Sequence, residues 1–229
     1  VSVPFMWIKV DVKEVSTYYW DVEANGNVIA EEKNDGERDY YAITPVFNLS
    51  EALTVSPFLL YDKKESTDHE MYYLGADVDM KIADASVWAT LIVGAGDTIN
   101  ADTKVKEDTM GYLVAAGADA GLVHGQFFYA TGDDSDTDKD NDAFVNPAGR
   151  SYYWSEIMGF GIFDPGTGSA NSPADGISNV MAVNAGVTVK PMDKLTVSGD
   201  LWYAQLAEDL AGTSDSELGT EIDLKATYA

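Results

Sequence analysis

Cysteine is absent from this chain, and disulfide scaffolds, thiolate metal centres and cysteine nucleophiles are excluded with it. Histidine is nearly absent: His69 and His124 are the two among 229 residues. Basic residues are scarce, with 14 Lys and Arg against 39 Asp and Glu, a formal charge of −25. Phosphate binding needs clustered Lys and Arg, so no nucleic-acid partner is expected. Long hydrophobic runs are missing too. The most apolar stretch, Val87 to Gly96, is about half of what a helix needs to cross a bilayer. No transmembrane helix is expected, and no leader peptide, since no basic stretch precedes an apolar run. Membrane strands stay open, because their alternation averages to mild polarity. What the chain does have is glycine (20), tyrosine (13) and tryptophan (5), and its 45% hydrophobic content is not that of a disordered chain.

The hydrophobic pattern has period two almost throughout. Tyr72, Leu74, Ala76, Val78 and Met80 alternate with Tyr73, Gly75, Asp77, Asp79 and Lys81. Met181, Val183, Ala185, Val187 and Val189 oppose Asn184, Thr188 and Lys190. Leu195, Val197, Leu201 and Tyr203 oppose Thr196, Ser198 and Asp200, and Ile222, Leu224, Ala226 and Tyr228 oppose Glu221, Asp223, Lys225 and Thr227. Near the start, Met6, Ile8, Val10 and Val12 oppose Lys9, Asp11 and Lys13. Helical spacing is nowhere sustained for three turns, so the chain reads as all-β and antiparallel. Ten strands are predicted, near 5–22, 38–49, 53–61, 71–81, 85–94, 110–120, 123–131, 177–189, 195–206 and 217–228.

The links between these strands alternate strictly between short and long. Short turns fall at 50–52, 82–84, 121–122 and 190–194; long links fall near 24–37, 62–70, 95–109, 132–176 and 207–216. In an antiparallel meander alternate links lie at opposite ends of the sheet, so one end is trimmed and the other carries the bulk. The long links hold most of the negative charge and the short turns are neutral in sum. Tyr40, Tyr41, Tyr61, Tyr72, Tyr73, Tyr112, Phe128, Tyr129, Trp202 and Tyr203 fall where strands meet long links, as a belt at a membrane interface would. Alternating strands also build soluble sandwiches, in which the apolar face is the core. One-sided loops and charge favour an up-and-down transmembrane β-barrel, residues 1–229 forming one domain.

Several stretches resemble a known family. Phe144 to Trp154 (FVNPAGRSYYW), Ser169 to Pro173 (SANSP) and the turn Lys190-Pro191-Met192-Asp193-Lys194-Leu195 leading into Asp200-Leu201-Trp202-Tyr203 are similar to the later part of bacterial outer-membrane porins. The type resembled is the Gram-negative porins related to alginate-export channels, over about a third of the chain. The resemblance implies an outer-membrane location, contact with lipid and lipopolysaccharide, and an aqueous channel. Such barrels end in an aromatic residue and have more strands, whereas Tyr228-Ala229 stands last here. A ten-strand barrel closed on itself and a part of a larger barrel both remain open.

Candidate site residues follow from the polar face. Lys9, Asp11, Lys13, Asp77, Asp79, Asp119, Asn184, Thr188, Thr196, Ser198, Asp200, Glu221, Asp223 and Lys225 would line the channel, with mixed charges tuning selectivity. The link 132–176 is long enough to fold inward, with Arg150, Tyr152, Tyr153, Trp154 and Glu156 as constriction candidates, or to form a further hairpin over 151–163. Asp134, Asp136, Asp138, Asp140 and Asp142 imitate the early ligands of a calcium loop. Lys139 stands where such a loop needs glycine, and Val145 where it needs a bidentate Glu, so an EF-hand is excluded and a looser Ca²⁺ site is the most that remains. His69 and His124 are predicted at opposite ends of the strands, neither with an evident Ser and Asp, and no enzyme is expected. The expected function is a passive, mildly cation-preferring diffusion channel for small hydrophilic solutes or ions. A secreted or surface sandwich that binds a ligand or partner through acidic loops is the alternative.

Overall fold

A computed structural model describes residues 2–10, 17–22, 28–33, 37–64, 69–99, 105–134, 140–147, 154–160, 177–209 and 216–229. The strands are β1 (Phe5–Val10), β2 (Thr17–Val22), β3 (Val28–Lys33), β4 (Arg38–Ile43), β5 (Phe47–Ser50), β6 (Leu53–Lys64), β7 (His69–Ile82), β8 (Ala85–Ile99), β9 (Lys106–Ala120), β10 (Val123–Ala130), β11 (Asp140–Asn141), β12 (Val180–Met192), β13 (Leu195–Gln205) and β14 (Glu217–Tyr228). One 3₁₀ turn, Met158–Phe160, is the helical element among the described residues. No helix among them is long and apolar enough to cross a membrane. The molecule is therefore all-β.

Ten strands form one antiparallel sheet in the order β1-β4-β6-β7-β8-β9-β10-β12-β13-β14, with β5 added beside β6 and β11 beside β9. Each predicted strand corresponds to a member of this meander. Two-residue connections at 83–84 and 121–122 are built on positive φ, +53° at Ala83 and +67° at Gly121. Such values let a tight turn follow the right-handed twist of its strands. Three expectations need correction. The stretch 5–22 is not one strand: β1 pairs with β4, while β2 pairs with β3 in a separate hairpin that lies partly in the expected link 24–37. Residues 154–160 form bends and a 3₁₀ turn, not the strands of a further hairpin. The sheet is also open rather than closed into a barrel, since β1 and β14 do not pair with each other among the described residues. Closure requires both edges to be matched, and among the described residues β1 pairs with β4 and β14 with β13.

Directly opposed residues share a face, so the register carries one orientation from strand to strand. Tyr61 faces Tyr72, and Leu74 faces Val93. On that face Leu74 (64% exposed), Leu91 (50%), Ile222 (72%) and Leu224 (82%) lie bare. Trp7, Tyr41, Tyr61 and Tyr72 form a continuous row on the same face, with centroid separations of 6.4, 6.0 and 4.7 Å, and Tyr112 and Tyr129 pair at 5.8 Å. The opposite face holds Tyr40, Tyr73, Phe128 and Trp202, so the predicted aromatic belt divides between two faces. Phe128, Leu113, Val180 and Trp202 are buried there beneath Phe144, Trp154 and Met158 from the long 131–179 link. The apolar core thus sits inside the curve of the sheet, under the chain that folds over it.

Gly111 on β9 is a point of close approach between wall and link. A Cβ there would lie 2.6 Å from the Phe144 backbone. Gly111→Val should therefore cost about 1–3 kcal/mol, as overpacking does, and should lift residues 143–144 off the wall. Thermal unfolding together with limited proteolysis of that link checks both effects.

Candidate functional site

A cavity of about 450 Å³ opens on the inner face, bounded by β8, β9, β10, β12, β13 and β14. Laid flat, six strands at about 4.8 Å spacing would span about 24 Å. Trp88 of β8 and Lys225 of β14 nevertheless line the same hollow, so the sheet curls around it. Alternation places the polar wall. Asp119 faces His124 across β9 and β10, Gln126 faces Asn184, Thr188 faces Ser198, and Asp200 faces Asp223. Two glycines make room on this wall. A Cβ on Gly117 would press into the Trp88 indole, and one on Gly186 would collide with His124 Nε2 and Asp200 Oδ1.

Hydrogen bonds hold several of these groups in place. His124 Nε2 lies 2.7 Å from Asp200 Oδ1, which also accepts from Asn184 Nδ2 at 3.1 Å. Thr90 Oγ1 donates to Asp77 Oδ1 at 2.6 Å. The roof is residues 154–159. Glu221, 7% exposed, accepts the backbone N–H groups of Ile157 and Met158 at 2.7 Å each. Ser155 Oγ accepts from Gly159 N at 2.6 Å and fixes the turn. Trp154 packs edge-on against Phe128 and Trp202, with centroids 5.4 and 5.2 Å away. One carboxylate and three rings therefore pin this part of the link inside the curve.

The predicted residues divide clearly. Asp77, Asp79, Asp119, Asn184, Thr188, Thr196, Ser198, Asp200, Glu221, Asp223 and Lys225 share the inner face by register. Lys9 does not: it lies on the face of Trp7, opposite Asp39, and pairs with Glu37. Its position two residues beyond Trp7, toward the long links, lets a charge sit on that face outside the apolar band. Asp11, Lys13, Arg150, Tyr152 and Tyr153 lie outside the described residues, as do Asp136 and Asp138. Trp154 is buried against the inner wall and Glu156 is exposed at the cavity. Of the acidic run, Asp134 and Asp142 approach each other together with Asp133, with ligand atoms within 4.8 Å, while Asp140 belongs to β11. Sequence reasoning missed Trp88, Gln126 and the His124–Asp200 pair. The pair brings together residues 76 positions apart, and only the register reveals it.

A second polar cluster lies at the long-link end, beyond the row of Trp7, Tyr41, Tyr61 and Tyr72. Asp62 is fully buried and receives a two-pronged grip from Arg38, with Nε to Oδ1 at 2.7 Å and Nη2 to Oδ2 at 2.6 Å. His69 Nε2 stands 3.4 Å from Oδ2, and the Arg38 guanidinium lies 5.2 Å from the Tyr40 ring centroid. Such a planar fork suits a carboxylate and lends directionality to the contact. Compared with known proteins, the chain matches no family model and no curated protein.

Burial pushes the Asp62 carboxyl up, but hydrogen bonds from His69 and Arg38 outweigh it and hold the group below its ordinary value. A depressed carboxylate stabilises the fold above its unfolded pKa of about 3.9 and loses that contribution as pH falls through the folded value. Asp62→Asn should cost about 2–4 kcal/mol at neutral pH, because Arg38 is then left half-enclosed without its counter-ion. Below about pH 4 the difference between variant and parent should shrink. Unfolding midpoints measured from pH 3 to 8 check both statements.

Proposed function

We propose that this chain belongs to an outer-membrane channel of the porin type, through which small hydrophilic solutes or ions diffuse passively. The observation that carries the reading is the inversion of its two faces. Apolar side chains stand on the exposed face of the sheet, while Asp, Asn, Gln, Ser and His line the hollow on the curved interior. A soluble sandwich covers its apolar face with a second layer. Here that face is bare along β7, β8, β9, β12, β13 and β14.

Dimensions support the same reading. On β7 the stretch from Tyr72 to Ile82 separates the tyrosine row from the short turn. Its eleven residues match the roughly 9–11 that a tilted membrane strand requires. Long, acidic links lie beyond the tyrosines and two-residue turns close the other end, the division usual for outer-membrane barrels. The sequence resemblance to porins related to alginate-export channels points the same way. In lipid the edges of β1 and β14 must be matched, by each other or by further strands, because hydrocarbon satisfies no backbone N–H. The excess of Asp and Glu at the long-link end would raise the local cation concentration, an effect screened over about 8 Å at physiological salt.

Leu91 faces Ala76 near the middle of the apolar band. Leu91→Arg should destabilise the vesicle-inserted protein by about 2–4 kcal/mol, whereas Thr90→Arg, on the inner face, should cost far less. Urea titration of both variants in lipid vesicles measures the difference; equal effects would count against a lipid-facing Leu91.

Reconstituted in a planar bilayer, the protein should give stepwise conductance. A KCl gradient should show modest cation preference that fades as salt rises. A folded preparation that needs no detergent and never conducts would overturn the channel reading.

A further inference from the structure

We infer that the cavity beneath residues 154–159 is a binding subsite for small organic cations, in which a protonated amine or guanidinium is carried on an apolar body. The inference deepens the channel reading, on which it rests for the route of the solute to the site. It stands on three features of the same hollow.

The first is size. A volume of about 450 Å³ falls within the roughly 300–1,000 Å³ typical of small-molecule sites. The second is charge. Asp119, Asp200, Asp223 and Glu156 line the hollow, and Lys225 is the one Lys or Arg among the described residues of its walls. Lys225 is exposed and aligned with Ser198, and His124 and Asn184 already engage Asp200, so Asp119, Asp223 and Glu156 are the carboxylates that keep the wall acidic. Glu221 is already engaged by two backbone N–H groups and supplies fixed negative charge behind the roof. An anionic solute would meet repulsion, and a neutral one would gain nothing from the carboxylates.

The third feature is aromatic. Trp88 from β8 lines the hollow, as do Trp154 from the roof and Trp202 from β13, the last two buried against each other with ring centroids 5.2 Å apart. Indole faces attract a cation within about 6 Å, and they bury the apolar part of a ligand at the same time. Asn184, Gln126 and Ser198 add neutral hydrogen-bonding groups that would orient an ammonium or guanidinium. An inorganic cation would use the carboxylates and leave the indoles idle. Charge and rings together select an organic one.

The test uses the full chain in detergent micelles and three probes of one shape: phenethylammonium, 2-phenylethanol and phenylacetate. Tryptophan fluorescence and calorimetric titration should show saturable binding of the ammonium and a clear order, ammonium above alcohol above carboxylate. Raising KCl should weaken the first and leave the second unchanged. Asp119→Asn should weaken ammonium binding about threefold, the scale of one exposed charge pair, without moving the alcohol. Equal binding of all three probes, or tighter binding of phenylacetate, would overturn the inference. The probe series needs no variant, so it decides the matter even if Asp119→Asn fails to fold. Binding in micelles is independent of conductance. Ordered binding without a channel would fell only the channel reading, and conductance without ordered binding would fell only this one.

Discussion

The constraint on which the rest of this structure depends is the pleat. A residue in a strand belongs to one face or the other, and direct pairing passes that choice to the neighbour. Once Tyr72 and Leu74 stand on the outer face, the register commits Leu91, Val114, Phe127, Val183, Leu201 and Ile222 to it as well. Asp119, His124, Asn184, Asp200 and Asp223 are committed to the other. A slip of one residue anywhere would put carboxylates among the leucines and leucines in the cavity. The inversion of faces is thus a property of the whole sheet.

The interior is not uniformly polar. Toward the long links, Leu113, Phe128, Ala130, Val180 and Trp202 make an apolar wall that would stand bare without Phe144, Trp154 and Met158 above it. Toward the short turns the wall turns polar, and the cavity lies there, lined from above by Trp154, Ser155 and Glu156. Glu221 sits at this boundary. Its carboxylate gives up water, and two charge-assisted bonds from Ile157 and Met158 offset that loss. The same bonds satisfy two backbone donors that would otherwise be buried without partners. The link is therefore held by a polar anchor beside an apolar seat, which fixes both its height and its register against β14.

The ten strands were legible because period two and tight turns are local signals. Ala83 and Gly121 mark turns that any register must respect, and the run from Tyr72 to Lys81 states its two faces outright. Lys9 was misread because β1 is apolar on both faces: Phe5, Met6, Trp7 and Ile8 are all exposed, so alternation gives no sign. Only pairing with Tyr41 settles which side is outer. The cavity residues divide by the same logic. Asp200 and Asp223 declared themselves by alternation within their own strands. Trp88 did not, because a tryptophan on an inner face looks apolar in sequence, and Gly117 beneath it makes the space it occupies. The His124–Asp200 pair and the Arg38–Asp62 grip join distant positions, and no local pattern encodes them.

The two edges of the sheet carry unequal demands. β14 alternates cleanly, with Ile222 and Leu224 outward and Glu221 and Asp223 inward, so one face suits an apolar surrounding and the other a wet interior. β1 presents Phe5 and Trp7 to one side and Met6 and Ile8 to the other, and among the described residues it pairs with β4 alone. A bare strand that is apolar on both faces is a liability in water, since it offers backbone donors and greasy side chains together. In lipid the side chains are at ease and the backbone is not. Either surrounding leaves the β1 edge in need of a partner strand. The edge of β14 away from β13 has the same need, which pairing with β1, further strand or contact with water would meet.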